Sequence, residues 1–523
     1  MTLSPPVSSE RLPDTQQLLH ELRRVVGDDA VLTGDALAGH ADPYSFLEDD
    51  EIPAPLAAVQ PTSVEQVQQV VALAARTGVP LWTVSRGRNF AYGGAAPRLP
   101  GSIVLDLQRM DRVLEVDEEL GYVVIEPGVS FLDLHAHLSA LGASLLMSVP
   151  DIGWGSVMGN ALERGKGYAQ HGEHSAAICG LEVVMADGTV VHTGMGALPG
   201  STAGPLYQGG YGPSLEGLFL QSNLGIVTRM GLWLAPRPET VIVCSIQAAS
   251  DDALGPLIDA LRPLQLDGTI QSPVTIGSAG ILAVVLTERA QWHTGPGAMP
   301  HEQTAEIVQR LGVGWWNARF GLYGPASLTA ARLDVVRAAL ADLPDLELVA
   351  HTYAGDVTPD QVFPPDLSQL GVPTLSNVRM AAWRGGTPAH TDVSLVGPSR
   401  SADVLRQRDL LRTGITRYGF DYAGGFTMYG RYTIALALVS FDRDDAEERA
   451  AVRALFPELL AEAAAHGYGT YRSHTAFMDL IAAHFGADDG ALRHVVEKIK
   501  DALDPKGILS PGKQGIWPGR STA

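Results

Sequence analysis

The sequence predicts an α+β protein of two domains, and three observations support this. At 523 residues the chain is longer than one ordinary hydrophobic core can serve. Helix and strand patterns alternate through the first half. After the segment APRPE (235–239), longer helices and separate strands follow, a pattern typical of an antiparallel sheet covered by helices. We therefore expect one domain at 1–238, with 500–523 packing back on it, and a second domain at 239–499.

Periodicity and capping signals define the elements of the first half. Apolar residues recur at helical spacing over 64–74, and Ser130 with Asp133 predicts the capped start of a second helix. Asp187-Gly188 is expected to supply the positive φ angles of a tight hairpin turn. Strands are expected at 79–85, 103–107, 113–116 and 122–128, and in the hairpin 181–194.

The second half has its own set of elements. Helices are expected at 252–264, 328–343, 402–418 and 447–467, and strands at 241–249, 281–287 and 433–441. The final segment, DPKGILSPGKQGIW (504–517), is loop-like. The sequence contains no internal repeat, so the second half is not a copy of the first.

Composition disfavours several classes of function. The net charge of −21 argues against nucleic acids and anionic membranes as partners, because both require basic surfaces. Cys179 and Cys244 lie in no CxxC or Cys/His cluster, so we expect neither a disulfide framework nor a metal site. The N-terminus lacks the apolar run of a signal peptide, and no stretch of about 20 apolar residues occurs, which predicts a cytoplasmic protein.

Glycine-rich loops point to a ligand that the backbone approaches closely. RGRNFAYGG (86–94) directly follows a predicted strand, and its successive N–H groups can form an anion nest. Its two arginines add positive charge, so a pyrophosphate is the expected ligand. The alternative is a tight loop that needs glycine for geometry alone. The pattern is neither GxGxxG nor GxxxxGKS, which disfavours a Rossmann or P-loop site. Further glycine-rich segments occur at 150–168 and 222–231.

Seven segments carry a resemblance to a known family. They are VSRGRNFAYGGAAPRLPGSIV, LEVDEELGYVVIEPGVSFLDLH, PDIGWGSVMGNALERGKGY, HTGMGALPG, LFLQSNLGIVTRMG, GYGTYRSHTAFMD and ALDPKGILSPGKQGIW. These segments resemble the vanillyl-alcohol oxidase family of flavoproteins, which has a p-cresol-methylhydroxylase-type FAD domain. They occur in the family's order from about residue 55 to residue 518, so the resemblance covers nearly the whole chain. The chain is most similar to the eugenol oxidase and vanillyl-alcohol oxidase branch.

The resemblance implies a two-domain FAD-linked oxidase fold, with an FAD-binding domain and an α+β cap domain that holds the substrate. It implies FAD as the cofactor, bonded at its 8α-methyl carbon to His390 in GGTPAHTDVSLVGP. A lone histidine is more often a surface or hydrogen-bonded residue, so this role depends on the family alignment. The other residues implied to line the cofactor are Arg86, Gly87, Arg88, Asn89, Phe90, Gly155, Ser156, Gly159, Asn160, Tyr168, Gly225, Ile226 and Val227.

The oxidation of a phenol requires a particular set of side chains. Hydride loss from a benzylic carbon leaves a cation, which a para phenolate oxygen neutralises by forming a quinone methide. Two tyrosine hydroxyls and a guanidinium aimed at that oxygen favour the phenolate. Tyr92, Tyr471 and Arg472 match the family's phenolate-binding positions, although a tyrosine is more often a core residue with a satisfied hydroxyl. Asp151 matches an acid/base near flavin N5, and its alternative role is an Asx turn.

The chain departs from the family around the substrate. GYAQHGEH (167–174) stands where the family commonly has GYTPYGDH. Strand alternation puts Gly425 and Thr427 on one face, where similar oxidases tend to have larger side chains. By the same alternation Asp392 and Ser394 share the face of the flavin-linking histidine, and Asp392 adds a carboxylate there unless local backbone shifts turn it away. We expect a roomier, more polar pocket for ring-substituted or bulkier phenols.

The sequence therefore predicts an FAD-dependent oxidase of para-substituted phenols that passes a hydride to flavin N5 and reduces oxygen to hydrogen peroxide. One alternative is a dehydrogenase of the same family with a cytochrome or quinone acceptor. Carbohydrate and 2-hydroxy-acid oxidoreductases on this fold lack the two tyrosines and the arginine. A non-catalytic flavin-binding protein is the alternative from another class. The expected partners are a small phenol and oxygen, without nucleic acid or membrane, and the resemblance implies a homodimer.

Overall fold

The helices and strands of the protein form the mixed α+β arrangement that the sequence predicts. The computed structural model describes residues 15–48, 50–150 and 152–519. Backbone angles are left-handed at residues 488–490, near the start of the last helix. The helices are α1 (Thr15–Val26), α2 (Val64–Thr77), α3 (Phe131–Leu141), α4 (Val157–Leu162), α5 (Leu254–Leu266), α6 (Ala279–Leu286), α7 (Gln303–Leu311), α8 (Ala326–Leu340), α9 (Ser401–Arg417), α10 (Ala446–Ala465), α11 (Met478–His484) and α12 (Ala487–Leu503).

Two sheets and a two-stranded ribbon make up the first half. Their strands are β1 (Val31–Leu32), β2 (Ala57–Val59), β3 (Leu81–Val84), β4 (Ile103–Asp106), β5 (Val113–Asp117), β6 (Tyr122–Ile125), β7 (Leu145–Leu146), β8 (Ile178–Val184), β9 (Val190–His192), β10 (Ile226–Trp233) and β11 (Ala235–Pro236). One sheet has the order β1-β2-β4-β3, and β4 runs parallel to both of its neighbours. The other is antiparallel, with the order β5-β6-β10-β8-β9. β7 pairs with β11.

A single antiparallel sheet of eight strands dominates the second half. Its strands are β12 (Thr240–Ala248), β13 (Val274–Ser278), β14 (Trp316–Gly324), β15 (Leu346–Ala354), β16 (Pro388–Pro398), β17 (Ala423–Met428), β18 (Tyr432–Asp442) and β19 (Gly469–Thr470). Their order is β15-β12-β14-β13-β17-β18-β16-β19. Apolar side chains of α5, α8, α9 and α10 pack with those of the sheet in one large core cluster. The predicted domain boundary at 238 falls between β11 and β12 and stays a prediction.

The register of the eight-stranded sheet brings two predicted groups of residues onto one face. Ser394 on β16 lies opposite Leu436 on β18, which lies opposite Gly425 on β17. In an antiparallel sheet, residues directly opposite each other point to the same side. Asp392 is two residues from Ser394 on β16, and Thr427 is two residues from Gly425 on β17. Both therefore point to the same face of the sheet, in neighbouring rows. This face, which we call the site face, is the side opposite to α5, α8, α9 and α10.

The C-terminal segment extends the first half of the protein. Leu509 forms a parallel bridge with Leu81 of β3, and the Ser510 N–H donates to the Leu81 carbonyl over 2.7 Å. The Asn223 amide donates to the carbonyls of Ser510 and Ile516, both over 2.9 Å. The segment is therefore attached to the first half by backbone pairing and by a side-chain amide.

A fully buried ion pair anchors this segment. The Lys500 ammonium group donates to Asp504 Oδ2 over 2.7 Å and to the carbonyls of Asn223 and Leu509, each over 2.8 Å. Asp504 also accepts the N–H groups of Ile508 and Leu509. Burial lowers the pKa of Lys500, and the Asp504 carboxylate opposes that shift. Each of the three ammonium hydrogens has an acceptor, as a buried charge requires.

Two expectations from the sequence are wrong in detail. Residues 281–286 belong to helix α6 and Thr287 follows its end, so this run is not a strand; Ser278 caps the helix by accepting the Ile281 N–H. A short apolar run fits a buried helix as well as a strand, and helical spacing decides it here. Of the predicted turn residues Asp187 and Gly188, only Gly188 has a positive φ, +84°. Asp187 instead accepts the Thr189 N–H within a longer loop. The Ser130–Asp133 capping box is confirmed.

Some groups do not occur in the part of the chain that the structure describes. None of its helices combines the length and the apolar character needed to cross a bilayer. The same residues contain no group of three His, Cys, Asp or Glu side chains placed to hold a metal ion. Cys179 and Cys244 are both buried as free thiols.

Replacing Lys500 with methionine is expected to lower the free energy of unfolding by about 3–5 kcal/mol, because the Asp504 carboxylate is then buried without its cation. Urea denaturation followed by tryptophan fluorescence measures the change. Lys498→Met is the control, since Lys498 is exposed on the same helix. Equal stability of the two variants would contradict the anchoring role of Lys500.

Candidate active site

Tyr92 lies where the first glycine-rich loop meets the site face. It ends a single 3₁₀ turn, Phe90–Tyr92, and is followed by Gly93 with a φ of +98°. A Cβ atom on Gly93 would lie 2.6 Å from Thr475 Oγ1, so the close approach requires glycine. The Tyr92 hydroxyl is 3.4 Å from Ser394 Oγ on β16. The loop therefore presents the tyrosine at the strand that carries the predicted pocket residues.

Tyr471 and Arg472 reach the same place from the other end of the chain. They follow β19, which pairs with β16 at the sheet edge. The Arg472 guanidinium carbon lies 5.5 Å from the ring centroid of Tyr92 and 5.6 Å from that of Tyr471, within cation–π range. The Gln221 amide fixes the backbone by donating to the Tyr471 carbonyl over 2.6 Å. We call Tyr92, Tyr471 and Arg472 the tyrosine–arginine cluster.

The electrostatics of the cluster favour an anionic guest. Burial raises the pKa of Tyr92 well above its ordinary value, and the charge of Asp392 raises it further. Burial lowers the pKa of Arg472, but the two tyrosines, Glu163 and Asp392 more than offset this, so its pKa is raised. The guanidinium stays charged while Tyr92 keeps its hydrogen. Arg472 Nε is buried without a hydrogen-bond partner in the described structure. An oxyanion fits such a set of donors.

Glu163 holds Arg472 in position through its backbone carbonyl group. Arg472 Nη2 donates to the Glu163 carbonyl over 2.9 Å. The Glu163 carboxylate is held in turn by Lys513 Nζ at 2.6 Å and by the Gln514 amide at 3.1 Å. Burial raises the pKa of Glu163, but the charges of Lys513 and Arg472 outweigh it, so its pKa lies below the ordinary value. The C-terminal segment thus contributes to the position of Arg472.

His390 and Asp392 form a pair beside the cluster. They are two residues apart on β16, and His390 Nδ1 is 3.2 Å from Asp392 Oδ1. Each side chain is 12% exposed. The ring of Tyr44 lies 5.2 Å from the His390 ring, centroid to centroid. The imidazole is therefore oriented by a carboxylate on one side and by an aromatic ring on the other.

The loops predicted to hold FAD have the features that an anionic cofactor needs. Gly87 has a φ of +62°, and a Cβ atom there would lie 2.6 Å from Ala95 Cβ. A Cβ atom on Gly159 would lie 2.2 Å from Ser85 Oγ. Both positions therefore require glycine, because a side chain there would clash with neighbouring protein atoms. Arg88 and Asn89 are exposed beside them. The residues present fit FAD.

The Arg86 side chain already bonds to protein groups, so it is only partly available to bind a phosphate. Its Nη1 atom donates to the Gly128 carbonyl over 2.7 Å and lies 3.3 Å from Asp133 Oδ2. Its Nε atom is buried without a hydrogen-bond partner among the described residues. Arg86 thus ties the first loop to the start of α3 and keeps one donor for a guest. Phe90 packs edge-on against Tyr44, at 5.6 Å between ring centroids.

The remaining predicted cofactor residues occupy several environments. Ser156 caps α4 by accepting the Gly159 N–H, and Asn160 Oδ1 contacts His174 Nδ1 at 2.7 Å. The side chains of Ile226 and Val227 are buried in core clusters. Gly225 packs against Val183, Gly155 has space around it, and Tyr168 is half-buried. Asp151 lies outside the described residues.

Gly425 has a structural requirement besides the pocket. A Cβ atom there would lie 2.6 Å from the Ile276 carbonyl oxygen on β13. Glycine therefore allows β13 and β17 to approach each other. Thr427 is half-buried on the same face. Whether the pocket is wider on this side stays a prediction.

Sequence reasoning missed Tyr429, although strand alternation extended from 425 and 427 would have found it. Its hydroxyl is buried without a hydrogen-bond partner among the described residues, and burial raises its pKa well above the ordinary value. Lys166 Nζ lies 4.5 Å from its ring centroid and donates to Tyr432 and Glu173. Tyr44 was missed as well, and no motif marks it.

Comparison with known proteins identifies the family. Models of the FAD binding domain and of the C-terminal domain of FAD linked oxidases match residues 55–194 and 378–514. The 4-cresol dehydrogenase (hydroxylating) flavoprotein subunit of Pseudomonas putida is 36% identical over 508 residues, 95% of each chain. The chain belongs to the vanillyl-alcohol oxidase/p-cresol methylhydroxylase family. A further family relative, 1'-carboxy-chondrochloren decarboxylase of Chondromyces crocatus, is 32% identical and covers 96% of this chain and 98% of its own.

Solved structures of the family have the same fold. The 4-ethylphenol oxidase of Gulosibacter chungangensis, in complex with isoeugenol, matches with a TM-score of 0.93 at 33% identity, over 99% of this chain and 100% of its own. p-Cresol methylhydroxylase with substrate bound gives 0.91 at 34% identity, over 96% and 97%. The two-domain FAD-linked oxidase fold predicted from the sequence is confirmed, and the protein is a flavin-dependent oxidoreductase. Its place in the eugenol oxidase branch stays a prediction.

Glu163→Gln is expected to lower the free energy of unfolding by about 1.5–3 kcal/mol near neutral pH, where it removes charge-assisted bonds. The ionised carboxylate has a lowered pKa in the folded state. Its contribution is therefore complete above the unfolded pKa of about 4.3 and is lost as the pH falls through the folded value. Thermal melts of both proteins should differ less at about pH 4 than at about pH 7. A difference that grows toward acid, or that exposed Glu462→Gln reproduces, would contradict this.

Proposed function

We propose that the protein is an FAD-dependent oxidase of para-substituted phenols, such as 4-hydroxybenzyl alcohols, 4-alkylphenols and eugenol-like compounds. The observation that carries the proposal is the tyrosine–arginine cluster, in which two tyrosine rings lie 5.5 Å and 5.6 Å from a buried guanidinium beside the site face. A phenolate oxygen would use the Nε donor of Arg472 that lacks a partner among the described residues. The names of the relatives 4-ethylphenol oxidase and 4-cresol dehydrogenase agree with this substrate class.

The cluster is proposed to bind the substrate as its phenolate. Arg472 supplies the compensating charge, and Tyr92 and Tyr471 donate their hydroxyl hydrogens to the phenolate oxygen. Hydrogen bonds to a charged group contribute about 1.5–3 kcal/mol each. Because these donors lower the pKa of the bound phenol, they also favour the electron release that hydride loss demands. Ser394, close to Tyr92, and Asp392 line the same side of the pocket. Gly425 and Thr427 lie on β17, which β18 separates from β16.

The other predicted residues complete the proposal. FAD, when bound, accepts the hydride from the benzylic carbon. His390 anchors it covalently at its 8α carbon, and the loops around Gly87 and Gly159 approach its phosphates and ring. Asp151 acts as the acid or base at the reacting carbon, either taking the proton of a benzylic alcohol or directing water.

Oxygen is the proposed acceptor, with hydrogen peroxide as the product. The whole-chain likeness to an oxidase, at a TM-score of 0.93, supports this. A dehydrogenase with a cytochrome or quinone acceptor is the second candidate, and the 36% identity to a protein named 4-cresol dehydrogenase favours it. A homodimer is proposed for the assembly.

The deciding experiment mixes the purified protein with 4-ethylphenol or vanillyl alcohol in air. Bleaching of the flavin band together with peroxide release is the expected outcome. Bleaching without peroxide would favour the dehydrogenase and call for a test of cytochrome and quinone acceptors. A flavin that no phenol in a panel bleaches would overturn the proposed substrate class and leave a flavin-binding protein of another function.

Arg472→Lys is expected to lower kcat/KM for 4-ethylphenol by about 10- to 100-fold. The planar guanidinium close to the Tyr92 and Tyr471 rings is then replaced by an ammonium group, which is a point charge. Tyr471→Phe should lose a similar factor by removing one donor. Steady-state oxygen consumption measures both variants. The matched control is Arg310→Lys, since Arg310 is exposed and far from the cluster. Wild-type kcat/KM in Arg472→Lys would contradict phenolate binding by the cluster.

A further inference from the structure

Asp392 has a contact that phenol binding does not explain. A negative charge beside the proposed phenolate site opposes the binding of a phenolate, and this charge already contributes to the raised pKa of Tyr92. A half-buried carboxylate is unfavourable unless it has a partner. The side chain that lies within bonding distance of it is His390, at 3.2 Å.

We propose that Asp392 is the positioning residue that prepares His390 to form its bond with the flavin. The inference rests on the proposed function, because it takes the covalent anchor at His390 as given. It adds that the attachment depends on the carboxylate two residues further along the strand. Asp392 acts through His390 and need not touch the cofactor.

The geometry determines which ring nitrogen of His390 is free. An ionised carboxylate only accepts hydrogen bonds, so Nδ1 of His390 carries the hydrogen in this contact. Nε2 then has the lone pair and is the nucleophilic atom. The two side chains project from the same face of β16 because they are two residues apart. The carboxylate thus sets both the tautomer and the direction of the ring.

Within hydrogen-bonding distance the Asp392 carboxylate contacts His390, and the charge of Arg472 acts on it from farther away. In the β16–β18 register, Asp392 lies opposite the apolar Leu438 and His390 lies opposite Ser440. Among the described residues, no Lys or Arg comes within 4.0 Å of the Asp392 carboxylate. With 12% of each side chain exposed, water screens the contact only weakly. Tyr44 restricts the ring on another side.

The Nε2 lone pair of His390 forms a C–N bond with the 8α carbon, one C–H bond of that carbon is broken, and the Nδ1 proton passes to Asp392. The histidine is then a neutral substituted imidazole. Two electrons and two protons are released overall, and dioxygen takes them up as hydrogen peroxide. A carboxylate next to a nucleophilic imidazole is the arrangement that favours such a bond.

Covalent incorporation of flavin tests the proposal without any phenol. Full-length apoprotein, produced under riboflavin limitation, is mixed with saturating FAD in air and denatured at intervals. Flavin fluorescence of the protein band then gives the rate of attachment. Asp392→Asn keeps the shape and an acceptor oxygen but loses the charge, so attachment should be about 10- to 100-fold slower. Its affinity for non-covalent FAD and its melting temperature should equal those of the wild type. Asp392→Glu should restore part of the rate.

Two controls make the outcome decisive. His390→Ala should form no covalent flavin, and Glu347→Gln, an equal charge change at an exposed edge-strand position, should attach flavin at the wild-type rate. Attachment by Asp392→Asn at the wild-type rate would overturn the role of Asp392 and leave the anchor at His390 intact. Covalent flavin in His390→Ala would overturn both. Failure of the phenol-oxidase function would appear separately, as normal attachment of a flavin that phenols do not bleach.

Discussion

Keeping a guanidinium charged in a site that is largely closed to water is the constraint on which the tyrosine–arginine cluster depends. A charge in such a place is unfavourable unless donors and acceptors around it are positioned in advance. Arg472 meets this requirement through the faces of Tyr92 and Tyr471 and through the Glu163 carbonyl. The Glu163 carboxylate is itself neutralised by Lys513. Positive and negative charges therefore alternate from Lys513 through Glu163 to Arg472, and each charge is stabilised by its neighbour.

The eight-stranded sheet positions several residues of the candidate site. One of its faces packs against α5, α8, α9 and α10 in the core cluster, and α6 and α7 cover only part of the site face. On β16 the site-face positions carry His390, Asp392 and Ser394, while the alternate residues Val393 and Leu395 point into the core cluster. The same strand pairs with β19, which leads directly into the cluster. Strand register thus determines the spacing of His390, Asp392 and Ser394 and the point from which the chain continues to Arg472.

Local patterns explain why much of the fold and site could be predicted from the sequence. Period-two alternation placed Asp392 with Ser394 and Gly425 with Thr427, because side-chain direction in a strand depends only on parity. The capping box at Ser130 is likewise encoded within four residues. The run at 281–287 was misassigned because a short apolar segment lacks a periodicity that distinguishes helix from strand. Long-range partners left no signal: nothing near Glu163 indicates Lys513, some 350 residues later.

The attachment of Glu163 to Lys513 and Gln514 also bears on the order in which the protein becomes competent. A ribosome releases the glycine-rich loops early and the C-terminal segment last. Until that segment has emerged and paired with β3, the carboxylate behind Arg472 lacks its cation and the buried Lys500 lacks the Leu509 carbonyl. The glycine-rich loops are therefore synthesised before Arg472 has all of its supporting contacts. The Glu163 carboxylate and the Lys500 ammonium group therefore gain these partners only after the C-terminal segment has been made.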